Sequence, residues 1–434
     1  MISPRTLLVA SLLATPATAA PQSPLPKAGG DLVALYKDLH SHPELSTQEF
    51  RSAAIMAAEA RAAGFTVTEK VGGTGVVAVM VNGSGPVLLI RADMDGLPVR
   101  EETGLPYAST VTAKAPDGGL MPVMHACGHD VHMTVWTGVA RRMAAEKARW
   151  RGTLIMVAQP AEEIIGGASA MLKDGLYSRF PKPEFALALH DNGDIPAGTV
   201  SVPADRALAA GSSVDILVHG IGGHGAYPST TRDPVVLAAN IIIGLQTLVS
   251  RENDPFMPAV ITTGTIHGGT KRNIIGNEVR LGLTVRSYDM AQQARLLAGI
   301  ARVANGEALA VGMPADKQPE VSVVEGTPPT LNTPALAARI DALFVQTFGQ
   351  ARVLPLRPSM ASEDFNAFGL ADPAIQTVIF WLGAAPQANY DAAKAGGASL
   401  PSLHSSRFYP DPGPTLAMGV EAMTAAAQMV LANP

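Results

Sequence analysis

Apolar positions along this chain recur with two alternating periods. Residues 31–40 and 47–64 carry apolar side chains at helical spacing, the second stretch ending at Gly64 as a C-terminal cap. Three short β-branched runs follow at 65–70, 76–81 and 87–91, separated by glycine and asparagine turns. Residues 131–147 return to a helical period, 152–158 read as a fully buried strand, and helix then strand recur through Met171 and 185–189. Strands so continuously apolar, alternating with helices, predict an α/β fold whose sheet is covered by helices on both faces.

The middle of the chain has its own pattern. Residues 213–219 alternate with period two, and a long helix over 234–251 opens on Pro234. Strands at 259–267 and 278–288, a helix at 290–309 and a strand at 319–324 complete a β-α-β-β-α-β order, the ferredoxin-like split motif. The preferred parse is an inserted α+β unit, residues 206–324, between two halves of a larger domain at 31–205 and 325–434. The second half predicts a helix at 334–348, a strand at 375–382 and a closing helix at 415–431. A length of 434 residues agrees, because one ordinary core does not grow that large.

Composition narrows the class. With 47% hydrophobic and 16% charged residues the chain is expected to fold, and a net charge of -5 with 5% aromatics excludes a nucleic-acid surface. Arg5, the apolar run 7–14 and Ala17-Thr18-Ala19 predict a cleavable secretory signal over residues 1–19, without a twin-arginine pair. The protein is therefore expected to be exported, periplasmic or secreted, with no membrane partner after cleavage. No later stretch is expected to span a bilayer, since 235–249 is broken by Asn240 and Gln246. Cys127 is the single cysteine, so it cannot form an intramolecular disulfide and is buried, reactive or metal-bound.

The candidate chemistry gathers at predicted strand ends. Cys127 and His129 flank Gly128, and an extended backbone there would aim both side chains the same way. A buried thiol beside a helix-capping Asp130 would give the same letters. Glu162 and Glu163 follow the strand 152–158, where acidic residues can equally begin a helix; neighbours in an extended loop would point apart. His190 closes the run 185–189, Asp95 follows 87–91, and His404 lies in a loop before the last helix. At least three successive strand ends thus carry Asp, Glu or His, which points to a metal site. Zinc suits a mixed sulfur, nitrogen and oxygen set best, and manganese, cobalt or nickel would fit the same residues.

Eight segments carry a resemblance: His42–Ser46, Arg91–Pro98, Met124–Asp130, Gln159–Glu163, Gly222–His224, Asn273–Ile275, Ser362–Phe365 and His404–Ser405. In that order the chain resembles the M20 family of metallopeptidases and aminoacylases, nearest to the branch that cleaves N-acyl amino acids, such as auxin-conjugate and hippurate hydrolases. The resemblance implies a zinc-peptidase-like catalytic domain and a ferredoxin-like lid that makes a homodimer. It implies two divalent metal ions held by Cys127, His129, Glu163, His190 and His404, with Glu162 as general base and Asp95 orienting a ligand. It also implies that His224 reaches a neighbouring subunit's site and that Asn273 binds substrate. Gly225 stands where alanine is usual, and the turn after Ile275 lacks a common proline; both bear on lid geometry. From the residues alone, Arg286 on the polar face of 278–288 is a candidate grip for a substrate carboxylate. The expected reaction is hydrolysis of the amide of an N-acyl amino acid. A dipeptidase or carboxypeptidase, a cysteine hydrolase using Cys127, and an exported binding protein are the rivals.

Overall fold

The computed structural model describes residues 30–114 and 118–432, so the leader expected at 1–19 lies outside the described residues. In chain order the elements that build and position the site begin with α1 (Leu32–Ser41), α2 (Phe50–Ala62), β1 (Thr66–Val71), β2 (Gly75–Asn82) and β3 (Val87–Asp93). Then come α3 (His129–Ala145), β4 (Gly152–Gln159), α4 (Gly167–Lys173) and β5 (Phe185–Pro196). The middle unit supplies β6 (Ala210–His219), α5 (Pro234–Thr247), β7 (Ala259–Gly268), β8 (Glu278–Ser287), α6 (Met290–Ala310) and β9 (Glu320–Thr327). The chain closes with α7 (Pro334–Phe348), β10 (Gln376–Ala385) and α8 (Pro412–Val430).

The large sheet has seven strands in the order β1-β2-β4-β3-β5-β10, with the short strand Val200–Ser201 at the far edge. Its middle strands β4, β3, β5 and β10 run parallel, while β1, β2 and Val200–Ser201 pair antiparallel. Side-chain alternation splits each middle strand between two cores. Leu88, Ile90, Leu154 and Met156 pack beneath α1, α2, α3, α7 and α8. Leu89, Ile155, Val157 and Ala188 pack on the other face with Met171 of α4 and Phe365. Burial on both faces is why these strands are continuously apolar.

Parallel pairing also fixes where the chemistry collects. Asp93 lies beside Gln159, Arg91 beside Ala188, and His190 beside Trp381, so the carboxyl ends share one edge. One expectation is corrected here. His190 does not close its strand, because β10 pairs with β5 as far as Pro196 after β3 has stopped at Ala188.

The middle unit forms a separate four-stranded antiparallel sheet, order β7-β8-β6-β9, the strand order of a ferredoxin-like split motif. Val214, Ile216 and Leu281 close a core against Leu237 and Ile241 of α5 and Leu296 and Ile300 of α6. A second expectation needs correcting. The helical stretch Pro234–Glu252 is long and apolar enough to cross a membrane by length and composition, at a mean hydropathy of 1.5. Asn240 and Gln246 do not offset its leucines and isoleucines, four of which are buried in this core.

Candidate metal centre

Gly128 sets the entry to the centre. Its φ of 74° is left-handed, and a Cβ built there would fall 2.3 Å from the Asp191 carboxylate, so only glycine fits. The segment is therefore not extended, as the sequence reading supposed. A left-handed cap turns the chain, and His129 becomes the first residue of α3. Cys127 and His129 still converge, now from a loop and a helix end.

The loop after β4 holds the two glutamates, and it too is not extended. Ala161 and Ile165 take positive φ values of 53°, and residues 162–165 form a turn. Asp95 organises this turn by accepting from Glu162 N (3.2 Å), Glu163 N (3.0 Å) and Ser46 Oγ (2.6 Å). Glu162 and Glu163 therefore do not point apart. Each places a carboxylate oxygen 3.8 Å from His129 Nε2. The other nitrogen, Nδ1, lies 3.3 Å from Asp95 Oδ1, so Asp95 fixes both the loop and the ring.

The remaining donors close around Cys127. Its Sγ is 3.5 Å from His190 Nε2 and 3.2 Å from His404 Nε2, and His404 Nε2 is 3.6 Å from Glu163 Oε2. His190 Nδ1 donates to the Asp191 carbonyl at 2.8 Å, which turns Nε2 towards the thiol. His404 holds a φ of 65°, another left-handed residue without glycine's freedom, as strained functional sites often show. Two overlapping clusters result: Cys127, His129 and His190, and Cys127, Glu163 and His404. All five residues expected to bind metal are brought together, with Cys127 common to both sets.

The donors fit divalent cations on physical grounds. His129 Nε2 and Glu163 Oε1 are buried without any hydrogen-bond partner, an expensive arrangement unless a ligand bond satisfies them. Burial, reinforced by Glu363 and Glu163, pushes the Glu162 carboxyl well above the usual range. Burial likewise raises Glu163 to about 7 against the opposing pull of His129. For His129, burial resists the charge, but Asp93 and Asp95 outweigh it and lift the ring to about 10. Acidic groups so crowded and dry call for added positive charge, and a thiolate, imidazole and carboxylate set suits zinc-like ions.

Several residues given no metal or catalytic role from sequence support the centre. His132 bridges Asp93 Oδ1 (2.5 Å) and Asp191 Oδ1 (3.1 Å) directly beneath the centre. Arg91 is buried and donates to Asp93, Glu363, Asp364 and Gln159, tying β3 and β4 to the segment before Phe365. Adjacent acids at 363 and 364 were the available signal; their buried arginine partner 272 residues away was not readable.

The donors open into a cavity of about 610 Å³ whose far wall belongs to the smaller sheet and includes Arg286. Arg286 donates to Thr284 Oγ1 (2.9 Å) and Ser362 Oγ and has no carboxylate partner among the described residues. His224 and Asn273 do not line this cavity. They sit together at an exposed two-stranded antiparallel pairing, Gly223–His224 with Ile274–Ile275, where Gly225 N bonds the Asn273 carbonyl at 2.9 Å.

A mixed α/β sheet with a buried S/N/O donor cluster at the carboxyl edge of its parallel strands, facing an open cavity, is the layout of a candidate metal-dependent enzyme. The chain belongs to peptidase family M20/M25/M40, whose model matches residues 89–395. It is similar to the N-acetyldiaminopimelate deacetylase of Limosilactobacillus reuteri (strain DSM 20016), at 35% identity over 81% of this chain and 89% of that one. An IAA-amino acid hydrolase ILR1-like 2 of Arabidopsis thaliana is 31% identical over 79% of this chain and 75% of its own. Among solved structures, a dinuclear metal-binding M20 peptidase, the YXEP protein of Bacillus subtilis, aligns with a TM-score of 0.73 at 27% identity. That alignment covers 92% of this chain and 97% of the other. The protein is thus a hydrolase of amide bonds, with a donor cluster that could hold metal ions.

Proposed function

We propose that this enzyme hydrolyses the amide bond of N-acyl amino acids. The observation that carries the reading is Arg286, a half-buried guanidinium without a carboxylate partner, in the cavity that the metal donors also line. An amino acid's free carboxylate matches its planar fork, which Thr284 and Ser362 hold in place. The names of the deacetylase and of the amino acid hydrolase among the relatives support the same class.

Cys127, His129, Glu163, His190 and His404 would hold the ions, with zinc the best match to the donor set. When bound, the ions supply Lewis acidity, polarising the scissile carbonyl and letting water attack at neutral pH. Glu162 accepts the proton from the attacking water on its carboxylate and returns it to the departing nitrogen. A buried carboxyl with raised proton affinity suits that relay. Asp95 keeps Glu162 and Glu163 in their turn by accepting from both backbone amides.

Residues 206–324 act as the lid in this reading. His224, exposed on its short paired strand, serves the site of a second copy as an oxyanion donor, and Asn273 beside it contacts that copy's substrate. Exposed Ile266 on β7 and Val323 and Val324 on β9 give the lid an apolar surface for that homodimer. Export as a periplasmic or secreted enzyme remains part of the proposal.

The test is elemental analysis of purified protein together with turnover of N-acyl amino acids and dipeptides, with and without chelator. Hydrolysis of the acyl series, lost on chelation and restored by zinc, is the expected result. Preference for dipeptides would make it a peptidase. Chelator-insensitive turnover would overturn the metal reading in favour of a Cys127 nucleophile.

A further inference from the structure

A second cavity, about 550 Å³, lies behind the loop that carries Glu162 and Glu163. Its walls come from three segments: the start of α2 (Phe50, Ala54), the β1–β2 hairpin (Lys70, Gly73) and the back of the glutamate loop (Ala161, Ile164). None of these residues lines the main cavity. The walls are largely apolar, and Phe50 and Ile164 are exposed there at 63% and 53%. Large apolar side chains left open around a concave surface mark a binding site more often than chance.

Two charged residues, Glu69 and Lys70, line it. Glu69 pairs with Arg61, whereas Lys70 has no ion partner among the described residues. Lys70 sits where the β1–β2 ladder slips register between Glu69 and Val71, at a left-handed φ of 61°. Thr47 and Ala161, also on this cavity, hold positive φ as well. Disfavoured backbone at three lining positions is what ligand clamps show, and a bulge is a usual means of re-aiming a side chain.

Below the cavity, one carboxylate ties all three walls together. Glu49 is fully buried and accepts from Thr47 N (2.8 Å), Thr74 Oγ1 (2.6 Å) and Ala161 N (2.8 Å). A molecule seated here therefore bears on the residue adjoining Glu162.

We propose that this cavity binds small amphipathic monocarboxylates, and that occupancy props the Glu162–Glu163 loop in its catalytic turn. The apolar body rests on Phe50, Ala54 and Ile164, and the carboxylate meets Lys70. The site does not depend on which amide the main cavity cleaves.

The experiment is a calorimetric titration of the metal-loaded full chain with octanoate, with octylamine as the charge-reversed control. Wild type binds octanoate saturably and octylamine does not compete. Lys70→Met weakens octanoate at least about tenfold, the effect of one lost ion pair of about 1.4 kcal/mol. Ala54→Trp fills the cavity and abolishes binding. Both variants keep basal kcat and KM, since neither residue lines the main cavity. Octanoate that saturates wild type raises its kcat about twofold or more; Lys70→Met needs at least about tenfold more octanoate for the same rise, and Ala54→Trp shows none. If Ala54→Trp fails to fold, the surface substitution Lys70→Met still decides. The proposal is overturned by an absence of saturable binding, or by binding that survives both variants and is lost in Arg286→Leu. It is overturned equally by binding with kcat unchanged or lowered.

Discussion

At residue scale, Glu162 and Glu163 divide their work by neighbours, not by direction. Both approach His129, but it is Glu163 that also reaches His404, at 3.6 Å from Nε2. Glu162→Gln preserves volume and should leave metal content at wild-type level while lowering kcat by about 10²–10⁴, the usual worth of a positioned base. Turnover and elemental analysis on the same preparation check this, and a variant that retains most of its activity would end the base assignment. Much of this site is legible in the letters. Cysteine, histidine and glutamate at strand ends advertise donors, and their order along the chain carries the family resemblance. Asp93, His132 and Asp191 are not legible as a network, because their hydrogen bonds join positions far apart in sequence.

At the scale of elements, the two periods of apolar spacing predict the helices and strands well, since burial on one or two faces imposes them. The middle unit is readable down to its strand order. The turn at 162–165 is not, because Glu49 accepts from Ala161 N and Asp95 from Glu162 N and Glu163 N, all from other segments, while Ala161 and Ile165 are left-handed. No glycine or proline marks either position. Another long-range clasp makes a pH prediction. His40 on α1 bonds Asp130 in the first turn of α3 (2.6 Å) and Glu101 (3.1 Å). Burial opposes its charge, but these two carboxylates outweigh burial and raise it to about 9. The unfolded ring titrates near 6.5, so the clasp's stabilisation is complete below that pH and fades as pH rises through about 9. Its worth is on the order of 3 kcal/mol. Urea midpoints measured from pH 6 to 10 should fall across that window in wild type and stay flatter in His40→Gln. Parallel curves for the two proteins would show that the clasp does not titrate there.

At the scale of the whole molecule, the proposal that His224 completes a neighbour's site makes a distinctive prediction. Glu162→Gln and His224→Ala are each inactive alone. Mixed in equal amounts and allowed to exchange subunits, they form heterodimers in which one site regains both groups. About a quarter of wild-type activity should return, from half of the dimers carrying one intact site of two. No recovery after demonstrated exchange would place the histidine's role within its own chain. The spread of the donors has another bearing, on how the molecule is made. Cys127, His129, Glu163 and His190 are gathered by the parallel strands, but His404 arrives only after the whole four-stranded unit has been threaded between. A chain stalled before that last closure holds a partial donor set and should release ions readily. Tight retention of the full complement is then a sign of completed folding, one that a refolding experiment can follow by the rate at which ions become resistant to a chelator.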